Sequence, residues 1–217
     1  MLGALLRIPP RVAGRVAYFV AGSNLVAAAA MGLFLRPGLP AAGSSPFDRL
    51  QYLRSHTALW RGAWLFWHAA ALGLLAFFIV LALRWLHRAP VRSFLALVCA
   101  SAGLAADLAA QGLLMGLAPV SDELELPIIE AASGLLTGYV GNGLYTVAGI
   151  LLTWAGASEL PRRLLLLSVP VWGSGLFLSA ASLIAWEAGQ FWGIAMLMPL
   201  FVIWSFLVGR WLRRLES

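Results

Sequence analysis

The chain has 217 residues, of which 61% are hydrophobic and 11% charged, and its mean hydropathy is +0.87. A soluble domain carries about a quarter of its residues as charges, so this chain lacks the polar surface to coat a water-soluble globule. A soluble enzyme, a disordered tail and a nucleic-acid module are excluded. The 15 basic residues behind the net charge of +6 are all Arg and sit at the edges of apolar runs, a pattern of membrane orientation and not of phosphate binding. The surroundings implied are membrane lipids, with no nucleic-acid partner.

A helix needs about 20 apolar residues to cross the hydrocarbon core, and six segments meet that length, at about 14–35, 59–86, 92–117, 131–156, 164–186 and 191–212. β-Barrel strands would be shorter and would alternate, which these runs do not do. The predicted fold is all-α, one polytopic domain over residues 1–217 that forms a bundle of six transmembrane helices. Behind Arg7, Arg11 and Arg15, the apolar stretch Val16–Leu35 is longer than the h-region of a signal peptide, about 7–15 residues, and reads as a retained first span.

Between spans 1 and 2, Pro37–Ser45 is a turn-rich linker. Ser45–Pro46–Phe47–Asp48 then reads as a helix start, with Ser at the N-cap, Pro at N1 and an acid at N3. Phe47, Leu50, Leu53, Thr57 and Trp60 follow at spacings of three and four, interleaved with Asp48, Arg49, Gln51 and Arg54. This predicts an amphipathic helix at the outer interface running into span 2, serving as a lipid-surface anchor or as a lid. Trp60, Trp64, Trp67, Trp85, Trp186, Trp192 and Trp211 fall at span ends and suit aromatic belts, whereas Trp154, Trp172 and Trp204 fall deeper and suit packing. In span 4, Gly134 and Gly138 form a small-xxx-small step, followed by Gly141, Gly143 and Gly149. These are expected to pack within the chain, with Gly173 and Gly175 of span 5 opposite. The one cysteine, Cys99, lies in an apolar run as a small buried hydrophobe.

Eleven Arg residues fall in the N-terminus, the 2–3 and 4–5 loops and the C-terminus. Only Arg36, Arg49, Arg54 and Arg61 fall on the other face, together with Asp48, Asp122, Glu123, Glu125, Glu130 and Glu187. The bias predicts a multi-pass protein of the inner (cytoplasmic) membrane with both termini cytoplasmic.

An ionisable residue inside a span costs at least about 2.5–3.5 kcal/mol and marks a candidate site. Two qualify, His68 in span 2 and Asp107 in span 3. Each lies about ten residues from the outer end of its span, roughly 15 Å deep at 1.5 Å per residue. Antiparallel neighbours thus bring them to one level, where an imidazole–carboxylate hydrogen bond is geometrically feasible. Asn24, Tyr139, Asn142 and Ser179 count to nearly the same depth, and Gln111 lies one turn outward on the face of Asp107. These seven residues either line a polar cavity opening outward or bond one another as interhelical glue. No cofactor or metal is expected. His68 and His87 are 19 residues apart, about 28 Å along a helix, and cannot share a haem. One His and one Asp fall short of a zinc site's three or four ligands. Nucleophile-elbow, HExxH, Walker and Rossmann patterns are absent, as is a convincing inverted repeat.

Arg11–Val–Ala–Gly14 opening span 1, Trp60–Arg–Gly–Ala–Trp64 opening span 2 and Glu159–Leu–Pro–Arg–Arg163 before span 5 resemble landmarks of uncharacterised bacterial six-span integral membrane proteins. The resemblance implies the helix count and no activity or ligand. The leading functional expectation is therefore a protein that binds, and in one version transports, a small molecule or lipid in a polar cavity in the outer half of the bundle. A second is an accessory or structural subunit that packs against a membrane-protein partner. A third is an intramembrane enzyme using His68 and Asp107 as an acid–base pair.

Overall fold

The computed structural model describes residues 8–40, 44–116 and 118–215, and within them every regular element is helical. Arg7 and residues 41–43 of the predicted linker lie outside the described residues. Helix α1 (Pro10–Ala30) continues through a wide π-helical turn, Met31–Leu35, and a 3₁₀ turn, Arg36–Gly38. Then come α2 (Pro46–Ser55), α3 (Thr57–Trp85) and α4 (Pro90–Gly116). Helix α5 (Glu125–Gly134) passes through a second π-helical stretch, Leu135–Gly141, into α6 (Asn142–Ala155), and α7 (Arg162–Leu183) and α8 (Glu187–Arg214) complete the chain.

Six of these runs are long and apolar enough to cross a membrane: Pro10–Gly38, Thr57–Trp85, Pro90–Val120, Glu125–Ala155, Arg162–Leu183 and Glu187–Arg214. They are spans 1 to 6, and the architecture is compatible with an integral membrane protein. Each helix begins two to six residues before its apolar run. The extra residues include helix-starting ones, with Pro at N1 in span 1 and a leading acid in spans 4 and 6, which suit a helix N-terminus without adding to apolarity.

Each span packs on its neighbours in the chain, and span 6 closes back on span 1. The result is a sequential ring. With six crossings both chain ends emerge on one face, called here the terminal face, and α2 lies at the other. Lipid is as apolar as a helix surface, so association depends on close packing. Glycine supplies it: a Cβ on Gly175 would lie 2.2 Å from Thr146 Oγ1, and one on Gly138 would lie 2.3 Å from Ser182 Oγ. Spans 4 and 5 approach through these contacts, and spans 3 and 4 through Gly103, whose Cβ would lie 3.0 Å from the Gly141 carbonyl. Gly173, expected in the same seam, has open space beside it instead.

Two apolar clusters fill the ends of the ring. Toward the terminal face, Phe77, Phe78, Leu81, Trp85, Leu152, Trp204 and Leu212 are all at most 1% exposed. Trp204 meets Phe77 edge-on at 5.9 Å and Trp172 at 5.2 Å. The terminal face is tied by Glu159, which pairs with Arg84 at 2.9 Å and with Arg88. Toward the α2 face a second cluster gathers Leu35, Leu50, Leu53, Trp60, Leu114 and Leu126.

Helix α2 starts on a capping box: Ser45 Oγ accepts from the Asp48 amide at 3.2 Å, and Asp48 Oδ2 accepts from the Ser45 amide at 3.3 Å. Its apolar face, through Leu50 and Leu53, is buried on the protein, while Phe47 stays exposed. Arg49 and Glu130 form a bidentate pair at 2.9 and 2.8 Å that ties α2 to span 4. Further ties run from Tyr52 Oη to the Phe34 carbonyl at 2.6 Å and from Arg54 to the Ser121 carbonyl at 2.8 Å. The helix thus caps the end of the ring, with its apolar face on protein and not only on lipid.

The belt expectation fails for three tryptophans. Trp60, Trp64 and Trp85 are buried, and Trp60 donates its indole N–H to the Leu114 carbonyl at 2.8 Å. Trp186 and Trp192 do face outward. Trp154, expected to pack inside, is 59% exposed with the Arg92 guanidinium 3.7 Å from its ring centroid. Position along a helix determines depth but leaves the rotation about its axis open.

Candidate functional site

Between the two clusters lies a cavity of about 220 Å³ to which all six spans contribute. Span 2 presents Trp64, Trp67, Ala71 and Leu74, spaced three and four apart as one helical stripe. Span 3 presents Asp107 and Gln111, one turn apart. Trp172 of span 5 and Phe201 of span 6 connect the wall to the terminal-face cluster, with the Trp172 indole N–H donating to Thr153 Oγ1 at 2.9 Å.

Span 4 contributes through its π-helical stretch. A π turn, bonded from i to i+5 and found mainly at functional positions, shifts the phase of every residue after it. Gly134, Thr137, Gly138 and Asn142 all reach the cavity. Tyr139, expected to share the inward face of Asn142, is 42% exposed and outside the lining. The two are three positions apart, and the wide turn rotates them further from one another than a regular helix does.

Asp107 is buried, and its Oδ1 accepts a short hydrogen bond from Thr137 Oγ1. Gln111, at 1% exposure, lies one helical turn from Asp107 with its side chain beside the carboxylate. Asn24 spends its amide N–H₂ on the Val20 carbonyl of its own helix, at 2.8 Å. Asn142 donates to the Gly175 carbonyl at 2.7 Å and to Ser179 Oγ at 2.8 Å. Around the same cavity the indole N–H groups of Trp64 and Trp67 and the Tyr145 hydroxyl are buried and unpartnered.

Of the seven candidate residues, then, Asn24, Asp107, Gln111 and Asn142 line one cavity. Ser179 sits behind the wall as an acceptor for Asn142. His68 lies outside the lining, with its Nδ1 3.2 Å from the Trp64 carbonyl of its own helix. The expected direct His68–Asp107 hydrogen bond does not form: Thr137 donates to Asp107 Oδ1, and His68 Nδ1 faces the Trp64 carbonyl. Counting residues matched the two groups in depth but not in direction: His68 follows Trp67, and on a helix adjacent residues point about 100° apart. Thr137, Trp64, Trp67 and Tyr145 were not singled out by the sequence. A threonine hydroxyl at the depth of Asp107 was the one signal that could have pointed to Thr137, and the tryptophans were absorbed into the belt.

No protein-family model, curated protein or solved structure matches this chain. The chemistry of the cavity therefore rests on its own residues, which offer a carboxylate, the four amides of Asn24, Gln111, Asn142 and Gln190, and several aromatic rings in an apolar enclosure.

Proposed function

We propose that this six-span protein binds a small molecule or lipid in the cavity at the centre of its helical ring, as a multi-pass protein of the cytoplasmic membrane with both termini in the cytoplasm. The observation that carries the reading is the cavity itself: all six spans converge on it, and its mostly apolar and aromatic wall holds the buried Asp107 carboxylate with the amides of Asn24, Gln111, Asn142 and Gln190. Polar groups that served only to hold helices together would close on one another, as Thr137 does with Asp107 and Asn142 with Ser179, without a cavity beside them. A concave, largely apolar space with a few convergent polar groups is the form a small-molecule site takes.

The test uses Gly134, which lines the cavity and has nothing within 4 Å of the position a Cβ would take. Gly134→Leu adds bulk from a position where the Cβ meets no atom, and it removes the cost of about 1 kcal/mol that Gly imposes in a helix. Native mass spectrometry of the protein released from nanodiscs should detect a bound non-protein mass in the wild type that is lost in Gly134→Leu. Lipids held only on the outer surface persist in both. A wild type with no internal guest, or a guest retained unchanged by Gly134→Leu, overturns the reading.

A further inference from the structure

We propose that the guest of this cavity is a lipophilic monocation, an amine or quaternary ammonium carried on an apolar body, with Asp107 as its counter-ion. The proposal rests on the cavity reading above and identifies the chemistry that the wall selects. Asp107 is the only Arg, His, Asp or Glu among the described residues that line the cavity. Asn142 commits both hydrogens of its N–H₂ group, to the Gly175 carbonyl and to Ser179 Oγ, and Asn24 donates to the Val20 carbonyl, so the side-chain oxygens of both amides are uncommitted acceptors in the wall that holds the carboxylate. The other polar side chains of the wall, Gln190 and Ser182 among them, are neutral.

The rest of the wall is apolar and aromatic. Trp64, Trp67, Tyr145, Trp172 and Phe201 all line it. Aromatic faces attract a cation through their quadrupole, more strongly once water is gone. An anion would meet a like charge and these π faces, whereas a neutral guest makes no ion pair with the carboxylate and draws nothing from the ring quadrupoles. One carboxylate balances one positive charge, which limits the guest to a monocation. Asp107 is already oriented by Thr137, so little ordering remains when the cation arrives.

The experiment uses the full chain in nanodiscs of neutral lipid, with radiolabelled benzyltrimethylammonium as the probe. Its uncharged isostere, 2,2-dimethylpropylbenzene, serves as competitor. The cation should bind saturably, and the isostere should compete at least tenfold more weakly than unlabelled cation. Asp107→Asn, which retains an acceptor for Thr137, should weaken cation binding at least tenfold and leave the isostere unaffected. Equal competition by the isostere on wild-type protein overturns the proposal without any variant, so a misfolded Asp107→Asn does not rescue it. Cation affinity unchanged within twofold in Asp107→Asn also overturns it. If the isostere binds, is lost in Gly134→Leu, and the cation does not bind, the monocation fails while the cavity reading stands. If neither probe binds and no internal guest is found by mass spectrometry, both fail.

Discussion

The pair between Arg49 and Glu130 makes the docking of α2 a measurable quantity. Both side chains are 7% exposed, and two hydrogen bonds of 2.9 and 2.8 Å join them. Glu130→Gln keeps the shape and removes the charge, leaving a buried guanidinium opposite a neutral amide. Removing one partner of a buried pair costs about 3–5 kcal/mol, and the retained amide oxygen places this case near 3. If the loss falls on local undocking of α2, the undocked population rises roughly 10²-fold, at about 1.4 kcal/mol per decade. Leu53 reports it, being fully buried on the inner face of α2. In a Cys99→Ser background carrying Leu53→Cys, alkylation should accelerate by about that factor when Glu130→Gln is added. Replacing both partners, Arg49→Met with Glu130→Leu, should return the rate to within a few-fold of the start, since apolar residues replace a buried pair with little loss. An acceleration below threefold, or a double replacement as labile as the single, would refute the claim that this pair holds α2 to the ring.

Other consequences can be checked separately. A Cβ on Gly149 would lie 2.3 Å from the Trp172 ring, so Gly149→Ala should destabilise by about 1–3 kcal/mol through overpacking. Adding Trp172→Leu should recover part of that loss in a detergent melt, and no recovery would contradict the packing. Ala185 has φ 52° and caps α7, with the Trp186 amide donating to the Ala181 carbonyl at 2.9 Å. Ala185→Gly should raise stability by about 0.5–1 kcal/mol, because a left-handed residue with a Cβ is strained where glycine is not. A lower Tm in that variant would count against the cap. For orientation, Glu123→Cys in a Cys99→Ser background should react with an impermeant reagent added outside intact cells, and Ala89→Cys should not. The reverse labelling would overturn cytoplasmic termini.

The depth of the candidate site was legible, and its direction was not. Asn24, Asp107 and Asn142 were placed at nearly one level by counting from span ends, with Gln111 one turn outward, and the four line one cavity. Counting works because the rise along a helix is constant. The same count put His68 and Tyr139 at that level, where His68 turns to its own helix and Tyr139 turns outward. Thr137 went unnoticed because a hydroxyl within a span is cheap and common, and only the fold placed it against Asp107.

The sequence by itself determined six helical spans, the capping box of α2 and the two intramembrane ionisable residues. These follow from quantities that are local or linear along the chain: the length of apolar run that matches a bilayer, the hydrogen-bonding needs of a helix start, and the cost of charge in hydrocarbon. The closing of span 6 on span 1, the burial of Trp60, Trp64 and Trp85, and the choice of Thr137 over His68 as partner for Asp107 were decided only by the tertiary structure. In water a helix declares its inward face by being apolar on one side. In lipid the outward face is just as apolar, so rotation about each axis leaves little trace in hydropathy. It is set by which glycines let backbones approach and by where a π turn shifts the phase, and both act only between packed helices.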